Sequence, residues 1–548
     1  MITDGTPMAP LAGVVVRAIG DTTPVRVALD RLRAAGCDVV RGEGPPPASA
    51  PAGRIELLAT PEGGPVEGGC DLTWAPPGST VAPEDEQDVQ ALCGLAHLHG
   101  RSLGGARPLP IDYASVCAGV LASQAVMAAV SAGPVGTRST VSVAGAALSA
   151  AAPYIAESAA SEGGPSTVVD GTRPPFRSLD GVVFEIETLD PEAWLRFWTA
   201  LGAPTAAIAS GWPLFQRRFA TAVCPLPDEL SGILASTRFD RTRAVGLDTG
   251  VGVVALRPPG SVPDARPVSP WRLRGVGGPA DLRSRWAPRE GAPLAGLRVV
   301  EATNRIQGPL AGLLLSFLGA DVVRMEPPGG DPMRGVPPLA GGVSARFTAL
   351  NRGKDAVEID LASWEGRESA TALVAEADVL LYNWPPGRAE RFGLGMEDLA
   401  ERAPGLVHAH VDGWVDEGPE DPVPATDFPV QAHGGIAHLL AEGGRPAPSL
   451  LTLTDVLGGI IAAEAVTAAL ALRSRLGTGV GARTGLVDAA RLLREVGRAT
   501  GREEPSVLVP VEDPRCVVDL FPDSFTTIDG VPHPRSPWTS TPMEVGRR

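Results

Sequence analysis

The chain has 548 residues, a formal net charge of −16 and a sequence pI near 5.0. At about 150 residues per domain, this length predicts three or four domains, and the acidic balance argues against binding to nucleic acid or to an anionic membrane. Six scattered cysteines without a CxxC pair predict free thiols rather than disulfides or a zinc site.

Neither a leader nor a membrane span is expected. The N-terminus MITDGTPMAP has no basic segment followed by an apolar core, so it does not resemble a secretory signal. The most apolar run, 456–472, is interrupted by Gly458, Gly459 and Glu464, which predicts a buried helix. We expect a soluble, cytoplasmic protein that binds no membrane and no nucleic acid.

An internal repeat divides the chain into two halves. Similar segments occur in the same order in both copies, which predicts two homologous halves that meet in the Pro- and Arg-rich stretch 257–290. The matching segments are 9–16 with 292–299, 32–43 with 315–326, 122–126 with 462–466, and 135–138 with 480–483.

The predicted elements alternate between strands and helices. Each copy opens as strand, helix, strand. A strand-like stretch from 180 to 186 and an aromatic helix around Trp194 and Trp198 then indicate a small α+β domain. Alternation predicts a parallel sheet with helices on both faces. In the second copy the predicted strands are 297–301, 321–325, 378–382 and 406–411, the helices are 309–318, 364–376 and 387–402, and 477–481 is a turn.

The predicted fold class is α/β, with a Rossmann-like parallel sheet and flanking helices in each of two homologous halves, plus the small α+β domain. The predicted boundaries are 1–165 for a degenerate first half, 166–262 for the small domain, 263–290 for a linker, 291–495 for the large domain with the active site, and 496–548 for a C-terminal return segment.

Common catalytic and cofactor motifs are absent. The chain contains no GxGxxG after its strands and no GxxxxGK[ST], HExxH or GxSxG sequence. His408 and His410 alternate along one strand, as do His97 and His99, but neither pair has the acidic or cysteine company of a metal site. We therefore predict no metal and no tightly bound cofactor.

One carboxylate remains as a candidate catalytic group. Asp455 directly precedes the buried apolar run and its two glycines. Asp is common as a helix N-cap, where it accepts the first N–H groups and stabilises the helix by about 1 kcal/mol. Carboxylates also serve as covalent nucleophiles, so the local sequence allows either role for Asp455.

The second half resembles the family III (CaiB/BaiF) CoA-transferases, the group that contains formyl-CoA and carnitine CoA-transferases. The resemblance runs from about 292 to 490 and rests on motifs that occur in the right order. These are 293–299, Gly308-Pro309, LGADVVRMEPPGGDPMR at 318–334, NRGK at 351–354, NWPPG at 383–387, RFGLG at 391–395, GWVDEGP at 413–419, Asp427, Gly434-Gly435 and Asp455.

The resemblance implies that Asp455 attacks the thioester of an acyl-CoA donor. A mixed anhydride and then an aspartyl-CoA thioester would form, and an acceptor acid would leave as the new acyl-CoA. Asn383, Trp384 and Arg391 match CoA-contacting positions in the family, and Arg334 and Lys354 lie in family motifs where they could place charge near the CoA.

Departures from the family pattern limit this carry-over. Related racemases place a His before the acid that matches Asp427, where this chain has Thr426, and proton exchange at Cα needs a second base. In the first half, the repeat places Ser115 opposite Asp455, and a serine without a base is a poor replacement. The family's glycine-rich loop is not visible in 180–256.

The leading hypothesis is therefore a CoA-transferase with one active site per chain, built like the family's interlocked homodimer fused into one polypeptide. Its expected partners are an acyl-CoA, as substrate rather than cofactor, and a small carboxylic acid. The alternatives are a CoA-ester isomerase or dehydratase that uses Asp455 and Asp427, and a catalytically dead acyl-CoA-binding scaffold. The sequence leaves open whether fused chains pair further.

Overall fold

The structure is a computed structural model. It describes residues 8–61, 68–101, 103–133, 138–161, 174–262, 269–277, 286–289, 291–441, 443–497 and 508–541. The predicted boundary at 165/166, most of the predicted 263–290 linker and residues 135–137 of the repeat lie outside the described residues.

The helices and strands occur in three stretches of chain. The first half contains β1 (Val15–Ile19), α1 (Thr23–Ala34), β2 (Asp38–Arg41), β3 (Gly53–Ala59), β4 (Gly69–Thr73), α2 (Glu86–Leu92), α3 (Leu95–Gly100), α4 (Tyr113–Ser131), β5 (Arg138–Ser142) and α5 (Val143–Ala160). The middle segment contains β6 (Phe176–Arg177), β7 (Val183–Glu187), α6 (Pro191–Ala200), α7 (Thr205–Thr221), α8 (Asp228–Ala235), α9 (Phe239–Thr249), β8 (Gly252–Ala255) and β9 (Arg272–Val276).

The second half contains β10 (Arg298–Ala302), α10 (Gln307–Phe317), β11 (Asp321–Glu326), β12 (Leu339–Ala340), β13 (Val343–Ser344), α11 (Ala345–Asn351), β14 (Asp355–Glu358), α12 (Trp364–Ala375), β15 (Val379–Tyr382), α13 (Arg388–Arg391), α14 (Met396–Leu399), β16 (Val407–Asp412), α15 (Asp427–His433), α16 (Ile436–Leu439), α17 (Leu453–Leu476), β17 (Gly479–Gly485), α18 (Leu486–Val496), α19 (Val517–Leu520), β18 (Phe525–Ile528), β19 (Val531–Pro534) and β20 (Trp538–Thr541).

The second half builds a seven-stranded sheet in the order β14-β11-β10-β15-β16-β17-β9. All neighbours are parallel except β17 and β9, which confirms the predicted α/β class. The strands predicted here lie within about a residue of their observed positions. The predicted helix over 387–402 instead forms two short helices, α13 and α14, because Gly393 between them has a left-handed φ of 71°.

The first half builds a six-stranded sheet in the order β2-β1-β3-β4-β5-β20. It differs from the predicted parallel sheet because β3 runs antiparallel to both β1 and β4. Parallel neighbours need a long crossover, usually with a helix. The described residues between β2 and β4 form only β3 and loops, and the chain reverses direction instead.

Each sheet is closed by an antiparallel strand from a distant part of the chain. Strand β9, which lies inside the predicted 263–290 linker, pairs with β17 of the second sheet. Strand β20, near the C-terminal end, returns to pair with β5 of the first sheet. The first sheet therefore takes an edge strand from the C-terminal part of the chain, and the second sheet takes one from the middle segment.

The middle segment packs helices α6 to α9 against a small antiparallel sheet of β6, β7 and β8. The predicted aromatic helix is α6. Its Trp194, Phe197 and Trp198 are buried, and Trp194 packs on Phe215 of α7 with ring centroids 4.7 Å apart. This aromatic core holds α7 in place, and α7 borders the cavity described below.

Two long apolar helices, α4 and α17, cross the middle of the molecule side by side. Glu464 on α17 is fully buried and accepts a hydrogen bond from Arg31 Nε of α1 at 2.8 Å. The Tyr113 hydroxyl of α4 donates to the Leu453 carbonyl at 2.8 Å. Both helices are long and apolar enough to cross a bilayer, but 89% and 94% of their apolar windows are buried inside the fold.

Candidate active site

Asp455 lies at the start of α17. It is the third residue of this helix, and Thr452 occupies the N-cap position without a side-chain cap. The interpretation of Asp455 as the helix cap is therefore wrong, and a different acid accepts the first N–H groups.

That acid is Asp427, on α15. Its Oδ1 accepts hydrogen bonds from the backbone N–H of Thr454 at 2.6 Å and of Asp455 at 3.0 Å, and its Oδ2 accepts one from Gln431. Burial raises the pKa of Asp427 to about 6. A carboxylate at this place is favoured because it satisfies free N–H groups and the positive end of the helix dipole.

The two glycines after Asp455 have a packing role. A Cβ on Gly459 would lie 2.7 Å from the Gln307 carbonyl oxygen, and a Cβ on Gly458 would lie 3.1 Å from the Gln307 amide nitrogen. Glycine therefore allows α10 to approach α17 closely. These two glycines therefore do not open the space around Asp455 to a ligand, because α10 fills the space beside them.

Asp455 borders a cavity of about 110 Å³. Its wall combines the loop that precedes α10, the helix α11, the start of α17 and Phe219 of α7, so the small domain contributes to it. The lining residues are Phe219, Asn304, Arg305, Ile306, Gln307, Asp331, Met333, Arg346, Phe347, Leu350, Asn351, Asn383, Ala425, Thr426, Asp455 and Leu486.

Four charged groups act on the Asp455 carboxyl. Burial raises its pKa well above the ordinary value, and the negative charges of Asp427 and Glu187 raise it further. The cations Arg305 and Arg346 oppose this rise. Desolvation and like charge disfavour the ionised form, whereas nearby cations favour it.

Arg305 sits on the loop at the mouth of the cavity. Its φ of 67° is left-handed, which is uncommon for a residue with a side chain. Asn383 holds this loop, since its Oδ1 accepts the Asn304 N–H at 3.1 Å and its Nδ2 donates to the Asn304 carbonyl at 3.0 Å. Asn383, predicted to contact CoA, thus lines the cavity and positions the loop that carries Arg305.

Several motif residues form one buried ion network beside the cavity. Arg324, which is 2% exposed, pairs with Glu301, Glu326 and Asp331. Arg334, one of the predicted CoA contacts, donates to both oxygens of Glu326 at 2.8 Å. Its side chain remains 37% exposed, so it is still accessible to a ligand.

Lys354 does not fit the predicted role near the CoA. Its ammonium is fully buried and donates to Glu301 at 2.8 Å, to the Pro309 carbonyl at 2.7 Å and to Asn351 at 3.0 Å. Three acceptors satisfy its three protons. Burial lowers its pKa to about 8. Lys354 therefore belongs to the interior of the fold.

Trp384 and Arg391 lie near Asn383 but do not line the cavity around Asp455. Trp384 is partly buried against Tyr382 and Phe392, with ring centroids 5.5 and 5.2 Å apart. Arg391 is exposed at the end of α13.

No metal site is found. Among the described residues, no three His, Cys, Asp or Glu side chains come together in a way that could hold a metal ion. His408 and His410 instead donate through Nε2 to the backbone carbonyl oxygens of Leu394 and Trp384, each at 2.9 Å.

Arg305, Arg346, Gln307 and Phe219 border the cavity and were missed by the sequence reasoning. Arg305 and Gln307 lie beside the Gly308-Pro309 motif, so their position could have drawn attention to them. Phe219 comes from a different domain and is brought to the site only by tertiary packing.

The start of α4 repeats the arrangement around α17. Glu86 on α2 accepts the backbone N–H of Ala114 at 2.9 Å and of Ser115 at 2.7 Å, and Gln90 donates to Glu86 at 2.9 Å. Glu86 and Gln90 are related to α4 as Asp427 and Gln431 are related to α17. Ser115, however, is 1% exposed and borders none of the main cavities of the described residues.

Comparison with known proteins supports the resemblance found in the sequence. Residues 294–502 match the model of CoA-transferase family III. This part of the chain is therefore similar in sequence to that family. A probable fatty acyl-CoA transferase of Mycobacterium tuberculosis is 33% identical over 43% of this chain and 64% of the relative, and a succinyl-CoA:mesaconate CoA-transferase of Haloarcula hispanica is 33% identical over 43% and 61%.

The solved structure of a CaiB/BaiF family protein from Brucella suis is 34% identical over 37% of this chain and 55% of that chain, with a TM-score of 0.35. The chain spans less than two thirds of the length of the curated relatives named above.

Proposed function

We propose that the protein is a CoA-transferase that moves CoA from an acyl-CoA donor to a carboxylic acid, with Asp455 as the covalent nucleophile. The observation that carries this proposal is the position of Asp455 on a cavity at the start of α17, within the segment that matches family III.

The proposed reaction runs in four balanced steps. A carboxylate oxygen of Asp455 attacks the donor thioester carbon. The C–S bond breaks, CoA is released as a thiolate, and an acyl–aspartyl anhydride forms. The thiolate attacks the Asp455 carbonyl and expels the donor acid. The acceptor carboxylate then attacks the aspartyl-CoA thioester, which releases CoA thiolate and forms an anhydride between the acceptor and Asp455. The thiolate attacks the acceptor carbonyl of this anhydride, so that the new acyl-CoA forms and Asp455 leaves as a carboxylate. Covalent catalysis divides one difficult exchange into easier steps.

The surroundings of Asp455 raise the free energy of its ionised form, and a carboxylate of higher free energy is a more reactive nucleophile. A carboxylate without hydrogen-bond donors in a buried cavity is less stabilised than in water, so it has more to gain by bonding to carbon. The positive charges of Arg305 and Arg346 lower the pKa of Asp455 and so oppose the negative charges of Asp427 and Glu187, which raise it. The backbone N–H groups of Thr454 and Asp455 are bonded to Asp427 and are not free to stabilise an oxyanion.

We place the outer part of CoA along Asn383, Trp384, Arg391 and Arg334. The cavity around Asp455 is much smaller than the roughly 300–1,000 Å³ of typical ligand pockets, so only the reacting end of the ligand fits there. An exposed guanidinium at Arg391 and a half-exposed one at Arg334 suit phosphate groups. No tightly bound cofactor is required by this chemistry.

We further propose that the chain is a fused pseudo-dimer with one active site. The antiparallel edge strand that closes each sheet, β9 in one and β20 in the other, and the matching acids Asp427 and Glu86 support a duplication. The buried Ser115 supports the loss of the first site. A reaction on soluble CoA esters fits the proposed cytoplasmic location, and pairing of whole chains is left open.

Two alternatives are less well supported. An isomerase or dehydratase would use Asp427 as an acid or base, but Asp427 is fully buried and its oxygens are bonded to Thr454, Asp455 and Gln431. A dead scaffold would not need an accessible carboxylate at Asp455.

Trapping of the enzyme intermediate tests the proposal. The protein is incubated with a panel of acyl-CoA donors and then treated with hydroxylamine or borohydride, and peptides are analysed by mass spectrometry. An adduct on Asp455 is expected in the wild type and in Ser115→Ala, and no adduct is expected in Asp455→Asn.

Tight CoA binding without an adduct from any donor would support the scaffold, and loss of α-hydrogen label to solvent would support the isomerase. A collapse of turnover in Ser115→Ala would contradict the assignment of one site per chain.

A further inference from the structure

Arg346 is the most buried cation on the wall of the Asp455 cavity. It is the second residue of α11 and is 7% exposed. Its guanidinium shares the cavity with Asp455, whereas Arg305 on the same wall is exposed at the surface.

The hydrogen bonds of Arg346 leave part of its guanidinium without an acceptor among the described residues. Nη2 donates to the Phe219 carbonyl at 2.6 Å. Its Nε is buried and has no hydrogen-bond partner. In the described part of the chain, no carboxylate oxygen lies within 4.0 Å of it, although the carboxylates of Glu157 and Asp455 act on it from a greater distance.

Two other deeply buried arginines of this protein are paired directly with carboxylates. Arg324 contacts Glu301, Glu326 and Asp331, and Arg218 contacts two carboxylates at 3.2 and 3.3 Å. A buried charge without a close partner is destabilising. The missing partner of Arg346 is therefore expected on a ligand, and the cavity is where a ligand can reach it.

We propose that Arg346 binds a second carboxylate of the substrate acid, so that the site selects short dicarboxylic acids. This inference rests on the proposed transferase function. One carboxyl group of the acid meets Asp455 and reacts, while the other pairs with Arg346, and the apolar wall of Phe347 and Leu350 lies along the carbon chain. A planar guanidinium can bind a carboxylate through two N–H groups at once.

The geometry argues against CoA as the anion. The pantetheine arm separates the phosphates of CoA from its sulfur. A thioester that reaches Asp455 therefore carries its phosphates far outside a cavity of about 110 Å³. The small volume also disfavours long-chain acids.

Arg346 could alternatively serve only to favour the ionised form of Asp455. That role would affect all acids equally, because the nucleophile is the same for each. A site for a second carboxylate would instead affect the binding of dicarboxylic acids alone. The ratio of the affinities for a dicarboxylic acid and a monocarboxylic acid of the same length therefore separates the two roles.

The test uses butanedioate and butanoate, which have the same carbon chain. Binding to the full chain is measured by calorimetry with coenzyme A present, so the result does not depend on turnover. We expect butanedioate to bind the wild type at least about tenfold more tightly, since a hydrogen bond to a buried charge contributes about 1.5–3 kcal/mol.

Arg346→Gln should reduce the preference for butanedioate to about threefold or less. Arg346→Lys keeps the charge but loses the two parallel N–H donors of the guanidinium, so it should give an intermediate preference. Arg352→Gln, a change on the same segment away from this cavity, should retain the wild-type ratio. Arg346→Lys also keeps the test informative where the Gln variant unfolds.

Equal binding of the two acids by the wild type, or equal weakening of both in Arg346→Gln, would overturn the inference. Failure of the transferase proposal gives a different result, namely no adduct on Asp455 with any donor while the Arg346-dependent preference persists.

Discussion

Oδ1 of Asp427 accepts the backbone N–H of Asp455 at 3.0 Å. Asp427 therefore caps the helix that carries Asp455, and the charge of Asp427 acts on the Asp455 carboxyl. Burial and this neighbouring charge raise the pKa of Asp455, so the arrangement couples the position of the proposed nucleophile to its ionisation.

Replacement of Asp455 by Asn should abolish transfer and stabilise the protein. The folded state holds a proton on Asp455 that the unfolded chain releases near pH 4, so the wild type loses stability as pH rises from about 4 towards the raised pKa. Asn carries no charge and avoids this loss. Thermal unfolding midpoints between pH 5 and 8 should be higher in Asp455→Asn, with the difference growing as pH rises.

The exposed pair of Asp513 and Arg515 provides a control, because Asp513→Asn should change the midpoint only slightly. A lower midpoint in Asp455→Asn at every pH would show that the ionised carboxyl is a structural requirement and not a functional cost.

Replacement of Asp427 by Asn should move the pH dependence of transfer to lower pH. The amide oxygen can still accept N–H groups, but removal of the negative charge lowers the pKa of Asp455. The acidic limb of the profile of kcat against pH should therefore shift to lower pH, and the free energy of unfolding should fall by about 1–3 kcal/mol because a charged acceptor is lost. An unchanged acidic limb would exclude Asp427 as a source of the shift.

Replacement of Arg305 by Gln should shift the acidic limb of the profile of kcat against pH to higher pH. Arg305 lowers the pKa of Asp455, so its removal leaves the carboxyl protonated up to a higher pH. Transfer should fall most at acidic pH and recover as pH rises. Arg402→Gln, on a surface arginine whose nearest acid is Glu368 at 3.9 Å, should leave the profile in place. A uniform fall at every pH would point to loss of loop structure instead.

Replacement of Lys354 by Met should lower stability and leave CoA affinity unchanged. Lys354 is fully buried with Glu301 and bonded to Asn351 and the Pro309 carbonyl. Loss of one partner of a buried pair costs about 3–5 kcal/mol. Denaturant unfolding should reveal the loss, whereas CoA titration of the folded variant should give the wild-type Kd. A weaker Kd with unchanged stability would restore the original prediction for Lys354.

The case of Lys354 indicates what the sequence could and could not predict. The resemblance of the ordered motifs to family III drew attention to Asp455 and Asn383, and the structure places both residues on the wall of one cavity. Sequence patterns do not distinguish a lysine that faces a ligand from one that pairs with Glu301 in the core. They also did not identify Asp427 as the cap of α17, since a cap from another helix leaves no local signature.

The first half was harder to predict for a similar reason. Its sheet reverses at β3, where the described residues form none of the helices that usually connect parallel strands. The internal repeat predicted that Ser115 lies opposite Asp455, but it did not predict that Ser115 is buried. Arg346 carried no motif, and only the packing of α11 against Phe219 brings it to the cavity.

Replacement of Gly459 by Ala should lower activity without improving stability. In an isolated helix, Ala is favoured over Gly by about 1 kcal/mol. At Gly459, however, the added Cβ would meet the Gln307 carbonyl oxygen at 2.7 Å and Leu310 Cβ at 3.1 Å, and overpacking typically costs about 1–3 kcal/mol. Helix α10 must then move away from α17, and the loop with Arg305 moves with it.

Gly232, inside α8, gives the matched comparison because a Cβ there meets nothing within 4 Å. Gly232→Ala should raise the unfolding midpoint and leave kcat unchanged, whereas Gly459→Ala should lower kcat and leave the midpoint unchanged or lower. If both variants were stabilised and fully active, the close approach of α10 to α17 would not be what positions the charged loop over Asp455.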